Sequence, residues 1–186
     1  MGIDVCSLAL SSVKLINIPR FGDGRGYFSE TFKRSEFAAM GIDCDFIQDN
    51  QSSSTSAGTV RGLHFQRPPY AQAKLVRVLR GSILDVAVDL RWSSPSFGRS
   101  VAVTLTADGG EQAFIPAGFA HGFCTLEPDT VVLYKVDQVY SPKHEGGIKW
   151  DDPSLRIEWP SVVDTPVLSE KDQRLPRLSE VGQIFE

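Results

Sequence analysis

Hydrophobic and polar positions alternate along this chain over short stretches. In segment 83–90, every second residue is apolar and falls on one side of an extended chain, namely Leu84, Val86, Val88 and Leu90. Segment 101–106 alternates in the same way, and 130–136 reads as a further strand. Short strands separated by turn-forming clusters predict an all-β protein built as an antiparallel barrel, with a jelly roll as the closed solution.

The N-terminal part of the chain continues this pattern with a few short helices. Strands are predicted at 15–19, 27–32 and 45–51, and a helix at 33–40 with Ser35 as a cap and Gly41 at its end. The Ser-rich run 52–58 indicates a polar loop. We expect one domain over 1–186, in which the proline-containing segment 151–186 wraps the barrel as a C-terminal extension.

Composition narrows the class of partner. The 19 basic and 23 acidic residues give a formal net charge of −4, so nucleic acid and anionic membranes are not expected partners, and an anionic ligand would need local arginines. No apolar run is long enough to span a bilayer. The three cysteines lack metal-type spacing, which is typical of free thiols in the cytoplasm.

Common catalytic arrangements are missing from the sequence. There is no H-x-H pair for a barrel metal site, so we expect no catalytic metal. Cys124 follows His121 by three positions, which places the two on opposite faces of a strand. No G-x-S-x-G elbow exists for a serine nucleophile. Proton transfer remains as the candidate chemistry.

The candidates for proton transfer each have an ordinary structural alternative. His64 could be a buried structural histidine, Lys74 a surface lysine, Tyr134 a packing residue, and His121 a stabiliser of the loop before a strand. Taken one at a time, none of these residues identifies a function.

The order of the motifs is more informative. From about residue 14 to 176 the chain resembles the dTDP-4-dehydrorhamnose 3,5-epimerase family, cofactor-free cupin-type enzymes of nucleotide-sugar synthesis. The resemblance rests on FGDGRGYFSE at 21–30, QDN at 48–50, RGLHFQ at 61–66, QAK at 72–74, IPAGFAHGF at 115–123, LYK at 133–135, YSP at 140–142 and LSEKD at 168–172.

This resemblance implies a set of catalytic roles. The family inverts the two carbons beside the ketone of a dTDP-4-keto sugar. His64 matches the base, Asp172 the carboxylate that orients it, and Lys74 the cation near the C4 oxygen. Tyr134 matches the acid that returns a proton on the opposite face of the sugar.

The resemblance also implies a substrate-binding set. The matched positions are Arg25, Glu30, Gln48, Asn50, Arg61, Lys74, His121, Tyr140, Glu145 and Lys171. Arginine suits a diphosphate because its guanidinium pairs with two oxygens at once. Glu145 could equally be a surface carboxylate, and Tyr140 matches an aromatic position near the base.

One pair does not fit simple alternation, which would place Arg61 and His64 on opposite faces of a strand. A bend at Gly62 would bring both to the ligand, as would crossed N-terminal strands in the homodimer that the family resemblance implies. Two other functions remain open: a single-site epimerase acting at C3 or C5, and a non-catalytic sugar-nucleotide-binding cupin.

Overall fold

The computed structural model describes residues 2–186. Its strands, in chain order, are β1 (Asp4–Ser7), β2 (Lys14–Asn17), β3 (Phe21–Asp23), β4 (Gly26–Phe28), β5 (Gln48–Ser54), β6 (Val60–Gln66), β7 (Lys74–Arg80), β8 (Ser82–Asp89), β9 (Ser100–Thr106), β10 (Gln112–Ile115), β11 (Phe119–Thr125), β12 (Thr130–Val136) and β13 (Glu145–Gly147). The α-helices are α1 (Arg34–Ala39), α2 (Glu170–Gln173) and α3 (Leu178–Val181), and two 3₁₀ turns span Pro153–Leu155 and Ser161–Asp164.

The strands form two antiparallel sheets that face each other. One has the order β1-β2-β10-β7-β12-β5 and the other β13-β6-β11-β8-β9, while β3 and β4 form a separate hairpin. The chain passes from one sheet to the other between successive strands, for example from β5 to β6 and from β7 to β8. Neighbouring strands within a sheet therefore come from distant parts of the chain. The predicted all-β antiparallel barrel is confirmed.

Hydrophobic side chains fill the space between the sheets and also cover their outer faces. The central cluster includes Val76, Val132 and Phe123. The outer face of the six-stranded sheet is covered by α1 through Phe37, and that of the five-stranded sheet by the C-terminal segment through residues such as Phe185. Because both sheets are packed on their outer faces as well as their inner ones, the strands that form the cavity walls are held in fixed positions.

The segment predicted as the strand 83–90 shows why one apolar stripe does not identify the inside of the barrel. Its apolar side, with Val86 and Val88, packs outward under the C-terminal segment. Its other side, with Asp85 and Ala87, turns toward the barrel interior, where Asp85 is buried. Both faces of β8 are therefore buried, and the polar face points toward the cavity.

Most N-terminal predictions are correct in kind and inexact in position. α1 lies inside the predicted 33–40, and Gly41 ends it with a φ of 77°. Lys33, not Ser35, is the N-cap, without a side-chain cap hydrogen bond. The predicted loop 52–58 is wrong in its first part, since β5 continues to Ser54 through pairing with β12, and the neighbouring strand overrides the turn preference of serine.

A β-bulge at Gly62 explains how Arg61 and His64, three residues apart on β6, reach the same side of the strand. On β11, His121 pairs with His64 and Phe123 pairs with Arg61, so three steps along β6 match two along β11. Gly62 has a φ of 117°, and an added Cβ would lie 2.7 Å from the Gly122 Cα atom. The predicted bend at Gly62 is confirmed, and it directs both Arg61 and His64 to the interior.

Candidate active site

A cavity of about 730 Å³ lies between the two sheets, a size typical of small-molecule sites. Most of the residues predicted from the sequence line it: Gln48, Asn50, Arg61, His64, Lys74, His121, Tyr134, Tyr140, Glu145, Lys171 and Asp172. These side chains come from both sheets, from the loop before β13 in the case of Tyr140, and from α2. The fold thus gathers into one chamber groups that are more than 100 residues apart in the chain, such as His64 and Asp172.

His64 and Asp172 form a close pair at the wall of the cavity. The His64 Nε2 atom lies 2.6 Å from Asp172 Oδ1, and the carboxylate accepts this hydrogen bond. The imidazole is 31% exposed, whereas the carboxylate is 5% exposed. When the Nε2–H group of neutral His64 donates to Asp172, Nδ1 is the unprotonated, basic nitrogen of the ring. The histidine is thus oriented on one side and accessible on the other.

α2 fixes the Asp172 carboxylate. Ser169 is the N-cap of this helix, and its hydroxyl accepts a hydrogen bond from the Asp172 amide at 3.1 Å. Burial raises the pKa of Asp172, but the hydrogen bond and charge of His64, together with Ser169 and the Gly62 backbone, outweigh this effect and leave the pKa below its ordinary value. The carboxylate is therefore ionised at neutral pH and stabilises a protonated His64.

Lys74 is a buried cation on the opposite wall. It begins β7, and alternation with Val76 and Val78 points it into the barrel, where it is 8% exposed. Burial lowers the pKa of Lys74 to about 8, against the opposing charges of Asp137 and Asp85. At pH 7 the ammonium is still mostly protonated and can stabilise a developing negative charge inside the cavity.

Tyr134 lies near Lys74 on the same sheet, facing the cavity from β12. It pairs with Asn50 on one side and Val76 on the other. Burial raises the pKa of the Tyr134 phenol and Glu145 adds to this, while Arg61 opposes it. The hydroxyl therefore carries its proton at neutral pH, as a proton donor must.

His121 forms a second histidine–carboxylate pair deeper in the barrel. Its Nε2 atom lies 2.7 Å from Asp85 Oδ1, and both side chains are buried. His121 stands directly opposite His64 in the pairing of β11 with β6. The sequence motif named His121 as a binding residue, but gave no indication of the role of Asp85.

A polar strip covers the wall formed by β5. The Gln48 side-chain amide donates to Asn50 Oδ1 at 2.8 Å, and both residues line the cavity. Arg61, across from this strip, donates to the Ser54 hydroxyl at 3.2 Å and to the Ser53 carbonyl at 3.1 Å. These bonds hold the guanidinium beside the cavity without neutralising it.

A charged network connects β13 to α2 at the cavity edge. The Tyr140 hydroxyl donates to Glu145 Oε2 at 2.9 Å, and Lys171 Nζ donates to Glu145 Oε1 at 2.5 Å. Burial raises the pKa of Glu145, but the hydrogen bonds from Lys171 and Tyr140 outweigh it and hold the pKa below its ordinary value. Glu145 is therefore bonded to two exposed side chains at the cavity edge, in contrast to a free surface carboxylate.

Two predicted binding residues do not reach the cavity of their own chain. Arg25 lies in the β3–β4 hairpin, where its guanidinium pairs with Asp23 and its side chain is 91% exposed. Glu30 follows the hairpin and is also exposed. Exposed aromatic side chains surround them, namely Phe21, Tyr27 and Phe28.

Several cavity residues escaped the sequence analysis, and some had detectable signals. Ser52 continues the period-two strip of Gln48 and Asn50, but the serine-rich composition favoured a loop there. Gln66 and Gln72 lay inside the quoted motifs without an assigned role.

In residues 2–186, no group of three or more His, Cys, Asp or Glu side chains is arranged to hold a metal ion. No helix in this part of the chain is long and apolar enough to cross a membrane.

Comparison with known sequences identifies a family. The family model for dTDP-4-dehydrorhamnose 3,5-epimerase matches residues 7–180. A dTDP-4-dehydrorhamnose 3,5-epimerase from Sinorhizobium fredii is 52% identical over 180 residues, covering 97% of this chain and 92% of the relative.

Solved structures agree with this match. The Bacillus anthracis dTDP-4-dehydrorhamnose 3,5-epimerase with TDP and PPi bound superimposes with a TM-score of 0.92 at 47% identity, covering 95% of this chain and 99% of that one. The Legionella pneumophila dTDP-6-deoxy-D-glucose-3,5-epimerase in complex with dTDP-4-keto-L-rhamnose gives 0.92 at 39% identity, with coverage of 96% and 94%. With the same cupin-type barrel and a family match over nearly its whole length, this chain belongs to the dTDP-4-dehydrorhamnose 3,5-epimerase family.

Proposed function

We propose that this protein is the isomerase that epimerises C3 and C5 of dTDP-4-dehydro-6-deoxy-D-glucose to give dTDP-4-dehydro-L-rhamnose, in dTDP-L-rhamnose biosynthesis. One observation carries the proposal beyond family membership: His64, on the five-stranded sheet and bonded to Asp172 of α2, faces Lys74 and Tyr134 on the six-stranded sheet across a single cavity. Base and acid therefore stand on opposite walls.

The chemistry begins with the acidity of C–H bonds beside a ketone. His64 removes the proton from the carbon, and the electron pair of that C–H bond moves toward the C4 oxygen to form an enolate. Lys74 stabilises the negative oxygen, and Asp172 stabilises the imidazolium that results. The reaction proceeds through proton transfer, with the electrons returning to carbon when the enolate is protonated.

Inversion requires that the proton return on the other face of the sugar ring. Tyr134 extends from the six-stranded sheet, whereas His64 extends from the five-stranded sheet. A sugar bound between the sheets would meet the base on one face and the phenol on the other. The raised pKa of Tyr134 keeps its proton available for transfer to the enolate carbon.

Binding of the nucleotide uses the polar groups around this centre. Arg61 supplies positive charge for the diphosphate, which the overall charge of −4 does not provide. Gln48 and Asn50 offer amide groups for hydrogen bonds to the nucleotide or the sugar, and Tyr140 offers an aromatic face near the base. Glu145 fixes Lys171 and Tyr140 in place before the ligand arrives.

Deuterium exchange tests the reaction directly. In heavy water, the purified protein should replace the hydrogens at C3 and C5 of the 4-keto sugar with deuterium, and the product should be the L-sugar. NMR measures both the exchange and the product. Exchange at one carbon alone would identify a single-site epimerase. Binding of the nucleotide sugar without any exchange would identify a non-catalytic sugar-nucleotide-binding cupin.

We also propose that the protein works as a homodimer in the cytoplasm, with the β3–β4 hairpin crossing to the partner's cavity. The support is that Arg25 and three exposed aromatic side chains lie on a hairpin separate from both large sheets, with Glu30 just after it. A crossed hairpin would complete the positive field around the diphosphate.

Mixed dimers test the crossing. Arg25→Ala and His64→Ala proteins should each be weakly active or inactive. If the hairpin crosses, a mixed dimer contains one complete site, with His64 from the Arg25→Ala subunit and Arg25 from the His64→Ala subunit. Unfolding the two variants together and refolding the mixture should therefore restore activity. No restoration in verified mixed dimers would place the hairpin in its own subunit's site.

A further inference from the structure

Asp137 is a half-buried carboxylate, bonded to the residue before Lys74, that the described chemistry does not use. The last residue of β12, Val136, pairs with Lys74, and Asp137 follows it at once. The Asp137 Oδ1 atom accepts a hydrogen bond of 2.7 Å from the Ala73 amide, the residue before Lys74. The carboxylate is thus tied to the start of β7, where the Lys74 side chain leaves the backbone.

Lys74 needs nearby negative charge to remain a cation. It is buried, and among the ion pairs of residues 2–186 it has no partner. Burial lowers the pKa of Lys74, and the charge of Asp137, followed by that of Asp85, acts in the opposite direction. Asp85 is bound to the His121 ring, whereas Asp137 is bound to a neutral backbone amide, which leaves its charge uncompensated.

The remaining groups around the cavity largely compensate one another. They are Arg61 and His64 on β6, His121 on β11, Tyr134 on β12, Tyr140 before β13, Glu145 on β13, and Lys171 and Asp172 on α2. Asp172 pairs with His64, and Glu145 pairs with Lys171. Besides Asp85, this leaves Asp137 as the carboxylate that bears on Lys74.

We propose that Asp137 is a positioning residue that keeps Lys74 protonated at neutral pH, so that the ammonium can stabilise the enolate oxygen. The proposal rests on the proposed function of Lys74. Asp137 acts through Lys74 and from the six-stranded sheet, independently of the Asp172 carboxylate that supports His64 on the other sheet.

The test is Asp137→Asn, which removes the charge and keeps an oxygen to accept the Ala73 amide hydrogen bond. The alkaline fall of kcat/KM should move down by about half a pH unit or more, a roughly threefold loss of rate on the alkaline side, with little change near pH 6.5. A purely structural role would lower the rate at every pH. Asp49→Asn, which removes a charge paired with Lys135 at 2.9 Å outside the cavity, should leave the profile unchanged.

A second readout separates this proposal from the reaction itself. In protein with isotope-labelled lysine and no substrate, the Lys74 side-chain NMR signal, assigned with Lys74→Met, should titrate at lower pH in Asp137→Asn and return toward wild type in Asp137→Glu. Asp137→Ser provides the same charge removal if the asparagine variant does not fold. An unchanged Lys74 titration overturns the proposal. A shifted titration with an unchanged rate profile supports the coupling and contradicts the proposed role of Lys74 in the reaction.

Discussion

The two histidine–carboxylate pairs of the barrel have nearly the same geometry and different surroundings. His64 and Asp172 lie 2.6 Å apart, His121 and Asp85 lie 2.7 Å apart, and the two histidines are opposite each other on β6 and β11. The His64 side chain is 31% exposed, whereas that of His121 is 7% exposed. Both histidines line the cavity, and His64 is the more accessible of the two.

The origin of the carboxylate explains part of this difference. Asp85 belongs to β8, the strand next to β11, so sheet formation alone delivers it to His121. Asp172 comes from α2 and reaches His64 only after the C-terminal segment has packed onto the barrel. The His121–Asp85 hydrogen bond therefore joins two neighbouring strands of one sheet. The His64–Asp172 hydrogen bond joins that sheet to α2.

The largest effect is expected for His64→Ala. Loss of the base should reduce deuterium exchange at both carbons by about 10³-fold or more, since general base catalysis contributes about 10²–10⁴-fold. The measurement is the initial rate of exchange in heavy water by NMR. His144→Ala serves as the control, because His144 bonds Ser141 outside the cavity lining. Exchange at the wild-type rate would remove His64 as the base.

Asp172→Asn should reduce kcat by about 10²-fold, because the amide keeps the shape but neither fixes the tautomer of His64 nor stabilises its cation. The pH dependence of stability gives a second readout. Since the folded-state pKa of Asp172 is lowered, the carboxylate contributes stability above its ordinary pKa of 3.8 and loses it as pH falls through the folded value. Denaturant unfolding of the variant should lack this acid-side loss.

Tyr134→Phe should separate exchange from inversion. The base and Lys74 remain, so exchange should persist, whereas net inversion should fall by about 10-fold or more because the donor on the opposite face is missing. NMR measures exchange and product in the same sample. Equal losses in both quantities would contradict Tyr134 as the proton donor.

Asp85→Asn should affect stability more than Asp172→Asn does at neutral pH. Removal of one partner from a buried pair costs about 3 kcal/mol, and both Asp85 and His121 are buried. Urea unfolding monitored by circular dichroism gives the free energy of unfolding. If Asp85→Asn left stability intact and abolished exchange instead, the two pairs would not divide their roles as the exposures indicate.

The smallest effect concerns pH. Burial lowers the pKa of Lys74 to about 8, and only its protonated form can stabilise the enolate oxygen, so kcat/KM should fall as pH rises above about 8. The pH profile of kcat/KM for wild type checks this expectation. A rate that stayed constant to pH 10 would show that the reaction does not use the charge of Lys74.

Much of this site could be predicted because its residues sit in dense local motifs. The runs around His64, Lys74, Tyr134 and Asp172 were sufficient to name candidate roles, and all four line the cavity. Asp85 and Asp137 could not be found in this way. Each is one carboxylate near a strand, and its importance depends on a neighbour that only strand pairing supplies.

Local sequence patterns are sufficient to predict the β-rich class, the apolar stripe of β8 and the helix at α1, because these follow from alternation and residue preference within a few positions. The identity of the acid–base groups rests instead on the resemblance of the ordered motifs to the epimerase family. The tertiary structure decided which face of β8 looks inward, how the Gly62 bulge turns Arg61 and His64 to one side, and which carboxylate meets which histidine. Those outcomes depend on packing and pairing between distant segments, whose free energies no local pattern contains.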